Sequence, residues 1–295
     1  MLTLHFPSPV HPGRVVIVGA GGFVGKAVAN SLIARGVPVV GVARQQIDLL
    51  SGDAAGQLVS TLRKSDTLVM IAAQAPVKNN AMLIDNLRMM TAVCAALGTV
   101  PVGHVVYVSS DAVYADADVP LTEASCAQPA SLHGVMHLAR EVMLADAFKG
   151  PLCILRPTLI YGASDPHNGY GPNRFRRLAQ RGEEIVLFGA GEERRDHVYI
   201  DDVAEIVARC AVHRSEGVLN IATGSVTAFR DIAEKAAAMA PVIPAIRNTP
   251  RTGSMPHRGY RAFDAASTRL AFPDFHYTSL ERGLALSQKQ EFKNG

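Results

Sequence analysis

Residues 15–32 read VVIVGAGGFVGKAVANSL, and this stretch decides the fold. The β-branched run that opens it, part of RVVIVGA (14–20), is too short for a helix and suits a strand buried on both faces. Gly19, Gly22 and Gly25 follow at three-residue spacing, with Phe23 and Val24 inside the same turn. A helical pattern then runs over 24–36 and closes on Gly36. Glycines between a buried strand and a helix let the backbone approach a pyrophosphate. The helix N-terminus meets that charge with unpaired N–H groups and a positive dipole end. The turn therefore reads as a dinucleotide site rather than an ordinary glycine turn, because its context is strand before and helix after.

The next strand, VPVVGVA (37–43), bears on which dinucleotide. An acid at its end would hold the ribose 2′-hydroxyl of NAD. Ala43 stands there instead, with Arg44 beside it. A missing carboxylate and an added guanidinium suit the 2′-phosphate of NADP, with NAD still possible; the alternative is a plain surface arginine. Asp48 and Leu49, in IDLL, stand where an adenine ring would rest. Further apolar runs at 66–73, 104–110 and 152–158 alternate with helical patterns at about 79–98 and 131–148. That alternation predicts an α/β fold, a Rossmann-type doubly wound parallel sheet. After Gly162 the pattern loosens through GASDPHNGYGPN. The expected division is a dinucleotide-binding domain over 1–162 and a smaller C-terminal substrate-binding lobe over 163–295, with elements of about 195–222 returning to the first. A crevice between them is the default ligand site.

Composition narrows the partners. Of 295 residues 48% are hydrophobic, enough for a full core, and the net charge is +3. That balance suits an anionic small molecule and is too weak to imply nucleic acid. The arginines of NRFRRLAQR (Arg174, Arg176, Arg177, Arg181) read as a solvated helix face. Cys94, Cys126, Cys153 and Cys210 are scattered without metal-ligand spacing, as expected of reduced thiols in the cytoplasm. The first residues show no secretory pattern, and no uninterrupted apolar run reaches about 18 residues, so no membrane partner is expected.

Together the glycine loop, DLL, IAAQAP, VSSDAVYA, PLTEAS, LRPTLIYG, the segment GPNRFRRLAQRGEEIVLFGAGEERRDHVYIDDVA and GVLNIATG resemble the extended short-chain dehydrogenase/reductase superfamily. The likeness is to its NAD(P)-dependent sugar-nucleotide epimerases, dehydratases and reductases. It implies that Ala72 and Ala73 line the cofactor channel and that Pro157, with Thr158, faces the nicotinamide. It implies that Ser110 hydrogen-bonds the reacting sugar oxygen. It also implies that Asn173 and Arg195 meet the diphosphate of a nucleotide-diphosphate sugar; the alternative for Arg195 is an ion pair with Asp196 or Asp201. A further basic residue is expected near the C-terminus, among Arg251, His257 and Arg258, with Arg258 as the candidate. Relatives pair the helices at about 79–98 and 131–148 into a four-helix bundle, which implies a homodimer.

The resemblance breaks at SLHGVMHLARE (131–141). The family's helix carries a tyrosine and, four residues on, a lysine; here they are His133 and His137, followed by the matching Glu141. An imidazole titrates near pH 6.5 and needs no lysine to lower it, so His133 can serve as the base and His137, on the same helix face, can contact the ribose. The other readings are a site that has lost its chemistry, leaving an NADP-binding or redox-sensing module, and a different base, Tyr161 or Tyr170. No metal is expected: HGVMH has zinc-like spacing, but Gly134 occupies the glutamate position and no third ligand is evident. Asp111 begins what would be the Asp–Glu pair of the dehydratases, yet Ala112 follows it, which favours epimerisation or carbonyl reduction.

Overall fold

All four side chains of the strand Val15–Val18 are buried, and they alternate between two cores. Val15 and Ile17 join Val28, Leu32, Val203 and Val207 on one face of a sheet. Val16 and Val18 join Leu58, Met90, Val93 and Leu144 on the other. Side chains at i and i+2 share a face, so a strand apolar at every position must be covered on both sides. The computed structural model describes residues 2–294. The strands are β1 (Thr3–Leu4), β2 (Val15–Val18), β3 (Val39–Val42), β4 (Thr67–Met70), β5 (His104–Val108), β6 (Leu152–Pro157), β7 (Leu159–Tyr161), β8 (Ile185–Phe188), β9 (Arg194–Tyr199), β10 (Ser215–Ile221), β11 (Val226–Ala228), β12 (Ile246–Thr249) and β13 (Tyr260–Arg261). The helices are α1 (Phe23–Ala34), α2 (Ala54–Thr61), α3 (Asn80–Thr99), α4 (Leu132–Ala147), α5 (Pro172–Gln180), α6 (Ile200–Val212), α7 (Phe229–Ala238), α8 (Ala266–Ala271) and α9 (Leu280–Asn294).

Seven strands form the main sheet in the order β1-β10-β6-β5-β4-β2-β3. All neighbours run parallel except β1, which lies antiparallel on β10. The sheet is thus a doubly wound α/β sheet of Rossmann type. The chain leaves β2 toward β3 on one side and returns through α2 to β4 on the other. The carboxyl ends of β2 and β4 therefore bound the switch-point crevice where such folds take ligands. Helices α1 and α6 cover one face; α2, α3 and α4 cover the other.

The remaining strands form two small sheets, β11-β9-β13 with β7 on β9, and β12-β8. Helices α5 and α7 pack there around Phe175, Leu187, Phe229 and Ile232. Of the stretch expected to return at 195–222, α6 and β10 belong to the main body, whereas β9 stays in the second sheet. Helix α3 is long and apolar enough to cross a membrane by length and composition. In the structure Met90, Val93, Ala96 and Leu97 bury one of its faces. Ile84 of α3 and Val135 and Val142 of α4 are large apolar side chains left exposed.

Candidate active site

The glycine turn is built by contact distances. Gly19 has φ +99°, and a Cβ on it would lie 2.6 Å from the Ala72 nitrogen. A Cβ on Gly25 would lie 2.1 Å from the Gly19 carbonyl oxygen, so α1 begins pressed against its own turn. Gly22 precedes the first turn of α1 with no side chain capping it, which leaves the helix N–H groups facing outward. This cradle, which a single Cβ would fill, fits a pyrophosphate.

A cavity of about 840 Å³ opens on it. Its walls bring together every residue expected around a dinucleotide: Gly19, Gly22, Phe23, Val24, Gly25, Arg44, Asp48, Leu49, Ala72, Ala73 and Pro157. Arg44 lies at the exposed rim, its guanidinium 3.3 Å from the Asp48 carboxylate. Ion pairs this exposed contribute little, so Arg44 is free to turn to another anion.

The same cavity reaches Ser110, Asp111, His133, His137, Thr158, Arg195 and His257. Ser131 caps α4, its hydroxyl accepting from the Gly134 N–H at 3.1 Å. A Cβ on Gly134 would lie 2.1 Å from the Ala112 carbonyl oxygen, so this glycine lets α4 press onto the turn that follows β5. That contact places the histidines beside Ser110. The two imidazoles meet edge to face, centroids 4.7 Å apart. His133 has its Nδ1 buried without a partner among the described residues, and burial lowers its pKa against the opposing pull of Asp111. Burial drives His137 well below its usual value, helped by His133 and Arg140. Its Nδ1 lies 2.9 Å from the Tyr107 hydroxyl, leaving Nε2 for the cavity.

A polar network lies beneath. Arg156 grips Glu141 through Nε at 3.0 Å and Nη2 at 2.5 Å, and the Ser109 hydroxyl donates to the same carboxylate at 2.5 Å. Arg140 is fully buried; its Nη2 donates to the Ala72 carbonyl at 2.8 Å and its guanidinium lies 5.4 Å from the Tyr107 ring centre. Sequence reasoning missed Tyr107 and Arg140 because each looks like an ordinary core or helix residue.

Several expected residues are placed otherwise. The Asp111 carboxylate is held by buried Arg261 at 2.9 Å, an anchoring the sequence did not suggest. Arg195 reaches the cavity wall, but its ion partner is Glu193 at 3.2 Å, not Asp196 or Asp201. Asp196 instead collects Thr158, Thr223 and the Gly224 N–H. Asn173 is not on the cavity wall: its amide donates to Asp165 at 2.6 Å and accepts from the Gly162 N–H at 3.0 Å, which ties the 162–173 loop to α5. Arg258 is also off the wall, on the surface 3.6 Å from Asp118. Arg251 turns to Glu192 and Glu193, and His257 is the one of the three C-terminal candidates that lines the cavity. Neither alternative base faces it. Burial pushes the Tyr161 phenol far up, and Tyr170 packs among Phe175, Phe188 and Phe229. Among the described residues, no group of three or more His, Cys, Asp or Glu is placed to hold a metal ion.

Comparison with known proteins adds a second line. A model of the NAD dependent epimerase/dehydratase family matches residues 15–222. A UDP-glucose 4-epimerase of Mycolicibacterium smegmatis is 27% identical over 256 residues, covering 74% of this chain and 80% of that one. A 2-alkyl-3-oxoalkanoate reductase of Shewanella oneidensis is 27% identical over 215 residues, 64% of this chain; the match spans only 54% of the reductase. Among solved structures, MoeE5 in complex with UDP-glucose and NAD superposes with a TM-score of 0.82 at 25% identity, covering 96% of this chain and 99% of MoeE5.

Proposed function

The chain belongs to the NAD dependent epimerase/dehydratase family, and from that premise we propose that this enzyme is an NADP-preferring epimerase or reductase of a nucleotide-diphosphate sugar. One observation carries the reading: a single cavity runs from the glycine cradle, past Ser110 and the paired histidines, to Arg195. A bound dinucleotide supplies hydride exchange at a sugar carbon. The chain's own residues do the rest. The N-terminus of α1 and the turn Gly19–Gly25 hold the pyrophosphate, and Arg44 takes the 2′-phosphate. Ser110 hydrogen-bonds the reacting oxygen, and the neutral His133 imidazole takes or returns its proton. His137, fixed by Tyr107, presents Nε2 to the ribose. Arg195 receives the substrate diphosphate, exchanging part of its pairing with Glu193 for a doubly charged partner.

The exposed apolar side chains of α3 and α4 support a homodimer through those helices. A non-catalytic sensor on the same fold has one feature in its favour, the two substituted residues on α4. The experiment that separates the two is turnover of a panel of UDP- and dTDP-sugars followed by nicotinamide absorbance and sugar analysis, alongside calorimetry with UDP. Binding of UDP with turnover supports the enzyme; NADP binding with no affinity for any nucleoside diphosphate sinks the sugar-nucleotide reading and leaves the sensor.

A further inference from the structure

Hydride transfer at a hydroxyl needs one base, yet besides the two histidines of α4 a further imidazole stands on the cavity wall. His257 reaches it from a loop, Met255–Gly259, far along the chain from α4. Its Nδ1 lies 2.5 Å from the Asp116 carboxylate, and among the described residues no group is hydrogen-bonded to Nε2. Arg261 Nη1, which can only donate, lies 3.1 Å from the same Nδ1, but the closer Asp116 carboxylate can only accept, so the shorter contact holds the proton on Nδ1 and leaves the Nε2 lone pair as the basic site, the arrangement of a general-base dyad. Asp116 is fixed in turn by buried Arg261, which lies 3.1 Å from the same oxygen and 2.9 Å from Asp111. One guanidinium thus clamps the aspartates beside two of the cavity histidines, Asp116 at His257 and Asp111 near His133.

The backbone is spent on this placement. His257 and Arg258 have φ of 50° and 51°, and Gly259 follows at +82°. Left-handed backbone at two successive non-glycine residues is strained, and strain of this kind persists where the surroundings over-determine it. The charged groups facing His257 are Arg195 from β9, Asp116 from the loop after β5, and Arg261 from β13. Burial and the two arginines outweigh Asp116 and keep the imidazole neutral, the form that accepts a proton.

Resting on the sugar-nucleotide reading, we infer that the His257–Asp116 dyad is a proton-transfer site for carbon acids. It would act on a 4-ketosugar nucleotide and invert a carbon next to the carbonyl. Nε2 takes the proton from that carbon. The C–H electron pair becomes the C=C bond of an enolate, and the carbonyl π pair moves onto oxygen, which the Ser110 hydroxyl can meet. A water on the opposite face gives a proton to that carbon, which re-forms the ketone with inverted configuration, and the imidazolium passes the proton it took to the hydroxide left behind. No oxidant or reductant is consumed.

The test is solvent exchange. The enzyme with NADPH is incubated with UDP-4-keto-6-deoxy-D-glucose in D2O. Deuterium in the sugar is read by mass spectrometry, and hydride transfer is read on the same sample from nicotinamide absorbance. The expected result is exchange well above the enzyme-free rate, with the ratio of exchange to hydride transfer falling at least 100-fold in His257→Gln and at least 10-fold in Asp116→Asn. Exchange at the enzyme-free rate while UDP still binds overturns the dyad and leaves the sugar-nucleotide reading intact, as does an unchanged ratio in His257→Gln. Should that variant fail to fold, the ratio in Asp116→Asn decides by the same criterion. Failure of the wild type to bind any nucleoside diphosphate removes the underlying reading and the dyad with it.

Discussion

His133 sets the expected pH behaviour. In alcohol oxidation the base must start neutral, and burial lowers the pKa of this imidazole. The rate should stay level as the pH falls from 8 through 6.5 and break only below the ordinary histidine range, which a kcat/KM profile would reveal; a break above 7 would exclude His133. Since a general base contributes typically 10²–10⁴-fold, His133→Gln should cost about that much in kcat. At the other end of the cavity, Arg44→Ala should weaken NADP by about 1.5–3 kcal/mol and leave NAD nearly unchanged, because only the charge-assisted contact is lost. Calorimetry on both cofactors checks this, and an unchanged ratio would make Arg44 a surface residue. Ser110, His133 and His137 were legible because each stands in one local pattern. The partners that fix the site were not. Asp111 and Arg261 are 150 residues apart, and Asp116 and His257 are 141 apart, so only the fold brings them together.

Helix α4 owes its position to one missing side chain. With a Cβ only 2.1 Å from the Ala112 carbonyl, Gly134→Ala must push the helix off the turn after β5. We expect a loss of about 1–3 kcal/mol in urea unfolding, with a larger proportional loss of activity than of NADP binding, since the cradle lies on α1. An unchanged melt and rate would mean that α4 tolerates the shift. The exposed faces of α3 and α4 make a second prediction: Val142→Arg should turn a dimer into monomers in light scattering at micromolar concentration. At this scale the sequence was read well for β2 to β6, α1, α3 and α4, where apolar runs and periodicity agree. It was silent on α2, whose AAGQLVST holds a mid-helix glycine and little periodicity, and on the two-residue strand β13, which is ordered by its pairing with β9.

Across the whole molecule, buried neutral histidines should dominate acid sensitivity. His104 donates to the Ser215 carbonyl between β5 and β10, and burial lowers it to about 4; His197 is lowered to about 3 by burial and Arg195. Unfolded, both return to near 6.5. The unfolded chain therefore binds more protons between these values. Stability is complete above pH 6.5 and is lost as the pH falls toward 4, by roughly 1 kcal/mol per unit for each group. Urea midpoints should drop from pH 7 to pH 5, and His104→Gln should flatten the slope; a midpoint constant over that range would contradict the assignment. The main sheet also sets an order of assembly. Strand β1 lies on β10, and His5 meets Glu216 across 211 positions of chain. During synthesis at about 5–20 residues per second, the first strand waits roughly 10–40 s for its partner to be made. In the last part of that interval, once Leu152–Pro157 has been made, β6 has no neighbour on its outer edge, so the nascent chain is most open to mispairing just before residues 215–221 emerge.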